Sequence, residues 1–195
     1  MSYGLYVLSA KEGEKDNGCI INTSQLVTDS PLRMSVVVNK ANLTHDMIVN
    51  SKKFNVSVLD ESAPFKVFKT FGFVSGRDVD KFNGVATKRS ENGLLYLTKN
   101  TNAFISAEVE QVVDLGTHSM FIATIKEAKK LSAKKSMTYD YYFANVKPKV
   151  NVVKKNELKQ FACKICGYIY NGNEVPADYI CPLCKHGKDA FEEVK

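Results

Sequence analysis

No apolar run in these 195 residues approaches the eighteen that a membrane span needs. No basic-then-apolar leader opens the chain. The expectation is a cytoplasmic protein with no membrane partner. Internal repeats and low-complexity tracts are absent, which sets aside solenoids and disordered tails. There is no G-x-G-x-x-G fingerprint and no P-loop, so no Rossmann site or nucleotide-phosphate cradle is read here. No Ser/His/Asp or Cys/His hydrolase pattern stands out. Cysteine is scarce, five in all, but four of the five fall in the last 40 residues.

Charge is unevenly placed. The net charge is +6, yet residues 147–160 alone carry five lysines and one glutamate, or +4. The first 146 residues hold +3, and residues from Phe161 onward hold −1. Much of the basicity therefore belongs to a short Lys-rich linker, and no nucleic-acid partner is expected. That linker reads either as a solvated tether or as a patch for an acidic partner. Fully extended, it reaches about 46–50 Å. The expected domains are 1–146, the linker 147–160, and a small unit 161–195.

The small unit carries Cys163-Lys164-Ile165-Cys166 and Cys181-Pro182-Leu183-Cys184, two C-x-x-C knuckles separated by fourteen residues. Two such knuckles place four thiolates around one tetrahedral ion, which suits zinc or iron. Nothing points to secretion, which argues against two disulfides. A unit of about thirty-five residues cannot stabilise itself by burial alone, so a metal is the expected staple. Gly167 follows the first knuckle, where a positive φ lets backbone N–H groups face sulfur. Phe161, Tyr168, Tyr170, Tyr179 and Phe191 supply an aromatic core. Cys19, the fifth cysteine, is expected as a small buried hydrophobe.

The run from Cys163 through Tyr170, with Pro176, the second knuckle and Phe191, resembles the rubredoxins. The short gap between knuckles is similar to the rubredoxin domain of rubrerythrins. The resemblance implies one iron ion held by Cys163, Cys166, Cys181 and Cys184. The alternative for these ligands is a zinc ribbon that only folds the tail. Lys185 stands where that family has glycine, which puts one N–H···S bond and the potential in question.

In the larger part, Leu5–Leu8, Cys19–Thr28, Leu32–Asn39, Phe54–Leu59, Leu94–Leu97, Ala103–Val113, Ser119–Lys126 and Tyr139–Val146 read as strands. Lys11–Gly18 reads as a charged turn. Asn42 is placed to cap a helix running to about Lys52, and Ser62 a second one over Pro64–Phe71. Many strands with two short helices predict a closed β barrel with helical insertions.

Five stretches resemble the flavin-reductase-like FMN-binding split barrels. They are Ile21–Gln25, Ser35–Lys40 with Thr44 and His45, Phe54–Leu59, Phe71–Phe82, and Gly116–Phe121. With the tail added, the chain resembles the high-molecular-weight rubredoxins. The fold class expected is thus mainly β: an FMN-binding split β-barrel with helical insertions plus a small rubredoxin-like metal domain. The resemblance implies FMN, NAD(P)H as electron donor, a homodimer, and a flavodiiron acceptor protein that reduces oxygen or nitric oxide.

The residues offer matching chemistry. Lys40, Arg77, Thr44 and Ser75 could meet a flavin phosphate, and Asn22, Thr23 and Ser24 a ring edge; Asn39 belongs to the same set. For Lys40 and Arg77 the alternative is a plain surface charge, and for Asn22–Ser24 a polar strand end. His118 stands where the family's Gly-Asp-His motif lies by the nicotinamide, with Thr117 in place of the aspartate. The alternative for His118 is a partly exposed strand histidine.

Hydride delivers two electrons and a ferric centre accepts one, so a flavin between them acts as a converter. The expected path runs from NAD(P)H through FMN to Fe(Cys)4 and on to the acceptor. Two rivals are a stand-alone flavin or ferric reductase that releases reduced flavin, and a non-enzymatic zinc-ribbon interaction module.

Overall fold

A computed structural model describes residues 2–148 and 159–194. They fall into two units, Met1–Val146 and Lys147–Lys195. Most of the Lys-rich stretch anticipated as a linker lies outside the described residues. Among the described residues no helix is long and apolar enough to cross a membrane.

Unit one runs β1 (Tyr6–Glu12), β2 (Lys15–Ile21), β3 (Ser24–Asp29), β4 (Leu32–Asn39), α1 (Leu43–Ser51), β5 (Lys53–Leu59) and α2 (Phe65–Gly72). It continues with β6 (Thr87–Arg89), β7 (Leu95–Leu97), β8 (Thr101–Asp114), β9 (His118–Lys130) and α3 (Tyr139–Tyr141), which runs into a π-helical turn over Tyr142–Val146. Seven strands form one antiparallel sheet in the order β2-β1-β5-β8-β9-β4-β3. Laid flat, it would be about 29 Å wide at ~4.8 Å per strand. Its two edge strands are joined by only Asn22 and Thr23, a reach of about 10 Å. The sheet must therefore curl into a barrel, split between β2 and β3. A closed barrel is expected from strand count, but the ladder stops at this seam.

Alternation sorts the side chains. Leu8, Ala10, Val36, Val38, Phe54, Val56, Phe121 and Ala123 share one buried cluster with Met47 and Ile48 of α1. The opposite face of β1, through Val7, packs with Leu5 just before the strand, with Phe68 and Phe71 of α2, and with Phe82, Leu97, Met137 and Tyr142.

Several local expectations are corrected. Lys11–Gly18 is not a turn: β1 and β2 pair as far as Glu12 opposite Lys15, and only Gly13 and Glu14 turn, with Gly13 at φ +55°. The run Cys19–Thr28 breaks at the seam into two strands. Pro64, not Ser62, sits at the N-cap of α2; Ser62 instead bonds the Asp60 carboxylate. Asn42 is the N-cap of α1 but makes no side-chain cap bond. Tyr139–Val146 is helical rather than extended. The Thr138 hydroxyl accepts from the Tyr141 N–H, which starts the helix. Tyr139, Tyr142, Phe143 and Val146 follow helical spacing, a signal that β-rich composition masks.

Cys19 is 3% exposed and sits within the barrel cluster. Burial pushes its thiol up to about 11 from 9.0, against smaller downward pulls from Thr44 and Lys81. A raised folded value adds stability that is whole below pH 9 and is lost as pH rises through about 11. Nearby Lys81 is lowered by burial, so its contribution runs the other way. Cys19→Ala is expected to flatten the alkaline loss of stability between pH 9 and 11, by up to about 3 kcal/mol. Denaturant midpoints at pH 8 and pH 10.5 for both proteins check this; equal slopes would remove Cys19 from the alkaline limb.

Unit two is a three-stranded sheet, β11-β10-β12, from β10 (Lys159–Cys163), β11 (Ile169–Gly172) and β12 (Phe191–Glu193). Tyr170, Tyr179 and Phe191 pack in sequence, with centroids 4.5 and 5.4 Å apart, the first pair tilted and the second edge-on.

Candidate functional site

The four knuckle cysteines are each 0–3% exposed, and their sulfurs lie within 4.8 Å of one another. Cys163 and Cys184 sulfurs are 3.6 Å apart, and those of Cys166 and Cys181 3.5 Å. A tetrahedral ion with bonds of about 2.3 Å requires edges near 3.8 Å, so the donor set fits one ion with little adjustment.

The two knuckles are near copies. Gly167 N–H donates to Cys163 O at 2.8 Å, and Lys185 N–H to Cys181 O at 2.9 Å. Cys163 N–H donates to Tyr168 O, and Cys181 N–H to His186 O, each at 2.8 Å. Gly167 has φ +76° and Lys185 φ +65°. The lysine thus accepts a left-handed backbone that glycine adopts freely, and the turn is kept. Burial raises the Cys181 thiol, but the amides of Cys184 and Leu183 together with the thiols of Cys166 and Cys184 hold it below its ordinary value. Burial pushes Cys166 and Cys184 up. A bound cation replaces the protons that these two would otherwise keep.

In unit one, the N-terminus of α1 gathers several expected residues. Asn39 ends β4, and its side chain accepts the Ala41 N–H at 2.8 Å, which turns the chain into α1. Lys40 pairs with Asp114 at 2.6 Å, while its N–H donates to Thr117 O at 3.0 Å. Arg77 reaches the same turn from the loop after α2. It donates to Ala41 O at 3.1 Å and pairs with Asp46 at 3.0 Å. The Ser75 hydroxyl accepts the Arg77 N–H at 3.1 Å. The first-turn amides of a helix have no intrahelical acceptor and attract anions, so cations on both sides of this turn suit a phosphate.

Thr44 corrects its expected role. It is fully buried, and its hydroxyl accepts from Asn17 at 3.0 Å, so it has no surface to offer a phosphate. Asn22 and Thr23 lie at the seam, where Thr23 clamps the backbone of Val37. Ser24 opens β3 opposite Val36. Asn22 also rims a cleft of ≈ 220 Å³ walled by Leu5, Ile20, Phe68, Phe73 and Tyr142. His118 begins β9 directly opposite Asn39, and its Nδ1 lies 2.8 Å from the Thr117 hydroxyl.

Four residues not singled out as ligands organise this region. His45, 8% exposed, lies 2.9 Å from the Ser119 hydroxyl and 3.1 Å from Asp46, which in turn holds Arg77. Lys81, 5% exposed, donates to Gly18 O at 2.9 Å and Phe71 O at 3.3 Å, tying its loop to the barrel. Asn17 on β2 is the fourth. Asn17 stands beside Gly18, whereas His45, Asp46 and Lys81 lie in mixed polar sequence that carries no local signal to mark them.

Comparison with known proteins agrees with this division. Residues 1–148 match the flavin reductase like domain family, and residues 161–192 the rubrerythrin, rubredoxin-like domain family. The high molecular weight rubredoxin of Moorella thermoacetica is 38% identical over 221 positions, spanning 100% of this chain and 96% of that one. A ferric-chelate reductase (NAD(P)H) of Archaeoglobus fulgidus is 34% identical over 143 residues, 73% of this chain and 85% of its own. Among solved structures, the NADH:FAD oxidoreductase SgcE6 of Streptomyces globisporus superposes with a TM-score of 0.64 at 22% identity, covering 71% of this chain and 81% of that one. The barrel, its seam and the four-thiolate cluster place the chain in the flavin reductase-like family, with a rubredoxin-like domain of the rubrerythrin type at its C-terminal end.

Proposed function

We propose that this protein is an NAD(P)H-dependent flavin oxidoreductase that delivers electrons through an Fe(Cys)4 centre to an acceptor protein. The observation that carries the reading is the union, in one chain, of a flavin-reductase-like barrel with a rubredoxin-like domain whose four buried thiolates stand at metal-binding separation. A flavin held there would accept the two electrons of one hydride and could release them singly to an iron ion that takes one at a time. Lys40, Arg77 and the first turn of α1 hold the FMN phosphate, with Ser75 fixing the Arg77 backbone. Asn22, Thr23 and Ser24 meet the ring edge at the seam. His118, beside Asn39, lines the nicotinamide side. Cys163, Cys166, Cys181 and Cys184 hold the iron and keep it from water. The functional form is a cytoplasmic homodimer, the domains run 1–146 and 161–195 with a tether between, and the acceptor is a flavodiiron protein. The family resemblance supports the homodimer and the flavodiiron acceptor, and the lysine-rich composition of residues 147–160 supports the domain division.

Anaerobic stopped-flow mixing with NADH tests the order of events. Flavin absorbance should fall first and ferric absorbance second, with flavin retained through gel filtration afterwards. Loss of reduced flavin from the protein while iron stays ferric would point to a flavin-releasing reductase instead. Zinc in place of iron, even after anaerobic reconstitution with iron, would leave only an accessory tail.

A further inference from the structure

Three elements meet beneath the proposed phosphate site: β2, the first turn of α1, and the loop between α2 and β6. Asn17 of β2 stands at their junction, 2% exposed. Its Nδ2 donates to the Thr44 hydroxyl on α1 at 3.0 Å. Its Oδ1 has no hydrogen-bond partner, one of two such buried side-chain atoms among the described residues. A buried acceptor left unpaired is costly and calls for an explanation. The reason lies in what covers it. Gly76 is buried, whereas its neighbours Ser75 and Arg77 are exposed. A Cβ on Gly76 would stand 2.0 Å from Asn17 Oδ1, 2.4 Å from Cγ and 2.8 Å from Nδ2. The loop therefore lies directly on the asparagine amide. A methyl group there forces one of two shifts: the amide swings and breaks its bond to Thr44, or the loop lifts and carries Arg77 away from α1.

We infer that Asn17 is a positioning residue: its amide is the seat on which Gly76 rests, and it sets Arg77 against the N-terminus of α1. The inference rests on the proposed reading of Arg77 as a phosphate ligand. In this arrangement Gly76 supplies close approach, and Asn17 supplies a fixed height, tied to α1 through Thr44. Arg77 then reaches Ala41 O and Asp46 without the loop having to order itself on binding. Neither residue is assigned as a flavin ligand. Their effect is confined to the phosphate end, because Asn22–Ser24 approach from the seam.

The test compares FMN with riboflavin, which lacks only the phosphate. Dissociation constants for both are measured on flavin-stripped, full-length, iron-loaded protein. Gly76→Ala is expected to weaken FMN about tenfold or more, the scale of one lost charge-assisted hydrogen bond, and to leave riboflavin within about twofold. In Asn17→Ala/Gly76→Ala the new methyl takes the space the amide leaves and holds the loop at its height, so most of the FMN affinity that Gly76→Ala loses should return. If Gly76→Ala alone does not fold, the double variant should restore both the melting transition and FMN binding. Three results would overturn the inference: unchanged FMN affinity in Gly76→Ala, parallel loss of both flavins, or no recovery in the double variant. Arg77→Ala separates the two readings. If it leaves the FMN-to-riboflavin ratio unchanged, the phosphate reading of Arg77 fails. If it collapses that ratio while Gly76→Ala does not, only the positioning role fails.

Discussion

Serine in place of Cys181 is expected to abolish the ferric chromophore and stop electron delivery beyond the flavin, while NADH still reduces the flavin at its usual rate. Cys181 is fully buried, 3.5 Å from the Cys166 sulfur, and its thiol is lowered despite burial by two backbone amides and the neighbouring thiols. A serine oxygen is harder, remains protonated, and forms shorter bonds than the pocket is shaped for. The structural consequence is as large as the electronic one. Beyond the four cysteines, Val175 is the only buried hydrophobic residue among the described residues of this unit. Its aromatics are only partly covered. A unit so poor in core draws its folding energy from the metal, and bound ions in comparable small domains contribute about 10–16 kcal/mol. Metal analysis, the visible spectrum and limited proteolysis of Cys181→Ser read this directly. One iron per chain with an unchanged spectrum would mean that the ion is held elsewhere.

The second large effect concerns the barrel. Phe121→Ala is expected to destabilise unit one by about 3–5 kcal/mol, the usual range for emptying a buried aromatic site. Phe121 is fully buried on β9, in register with Val36 on one side and Val112 on the other. It shares the core with Phe54, and backbone strands on both sides cannot collapse into the gap. Its ring also lies 5.5 Å from His45. That histidine begins the run through Asp46 to Arg77, so FMN affinity should fall with stability. Phe121→Leu keeps most of the volume and should cost under about 1.5 kcal/mol. Urea titration followed by far-UV dichroism, with flavin fluorescence as a second signal, checks both. A loss below 1 kcal/mol for Phe121→Ala would place the residue outside the packed core.

The metal centre was legible because its information is local. Two knuckles and a glycine specify a four-thiolate cage almost without help from distant residues, and Lys185 shows how firmly: the turn persists with a residue that φ +65° does not favour. Strands such as Leu32–Asn39 were equally readable, since the β-branched run Val36-Val37-Val38 favours a buried strand. Tyr139–Val146 misled for a related reason. Aromatic residues favour strands on average, and only the hydroxyl of Thr138 and the packing of Tyr142 select the helix.

What the sequence determined by itself was the division into two units, the thiolate ligands, and most strands, all set by composition and short-range spacing. Tertiary structure alone decided where the barrel splits, because an edge exists only once seven strands have been ordered. It also decided which polar residues can reach a ligand. Thr44 and Lys40 are four residues apart in sequence, yet one is sealed against Asn17 and the other lies at the surface with Asp114. No spacing rule distinguishes them. The difference comes from a strand, a helix and a loop, distant in sequence, that converge on one asparagine.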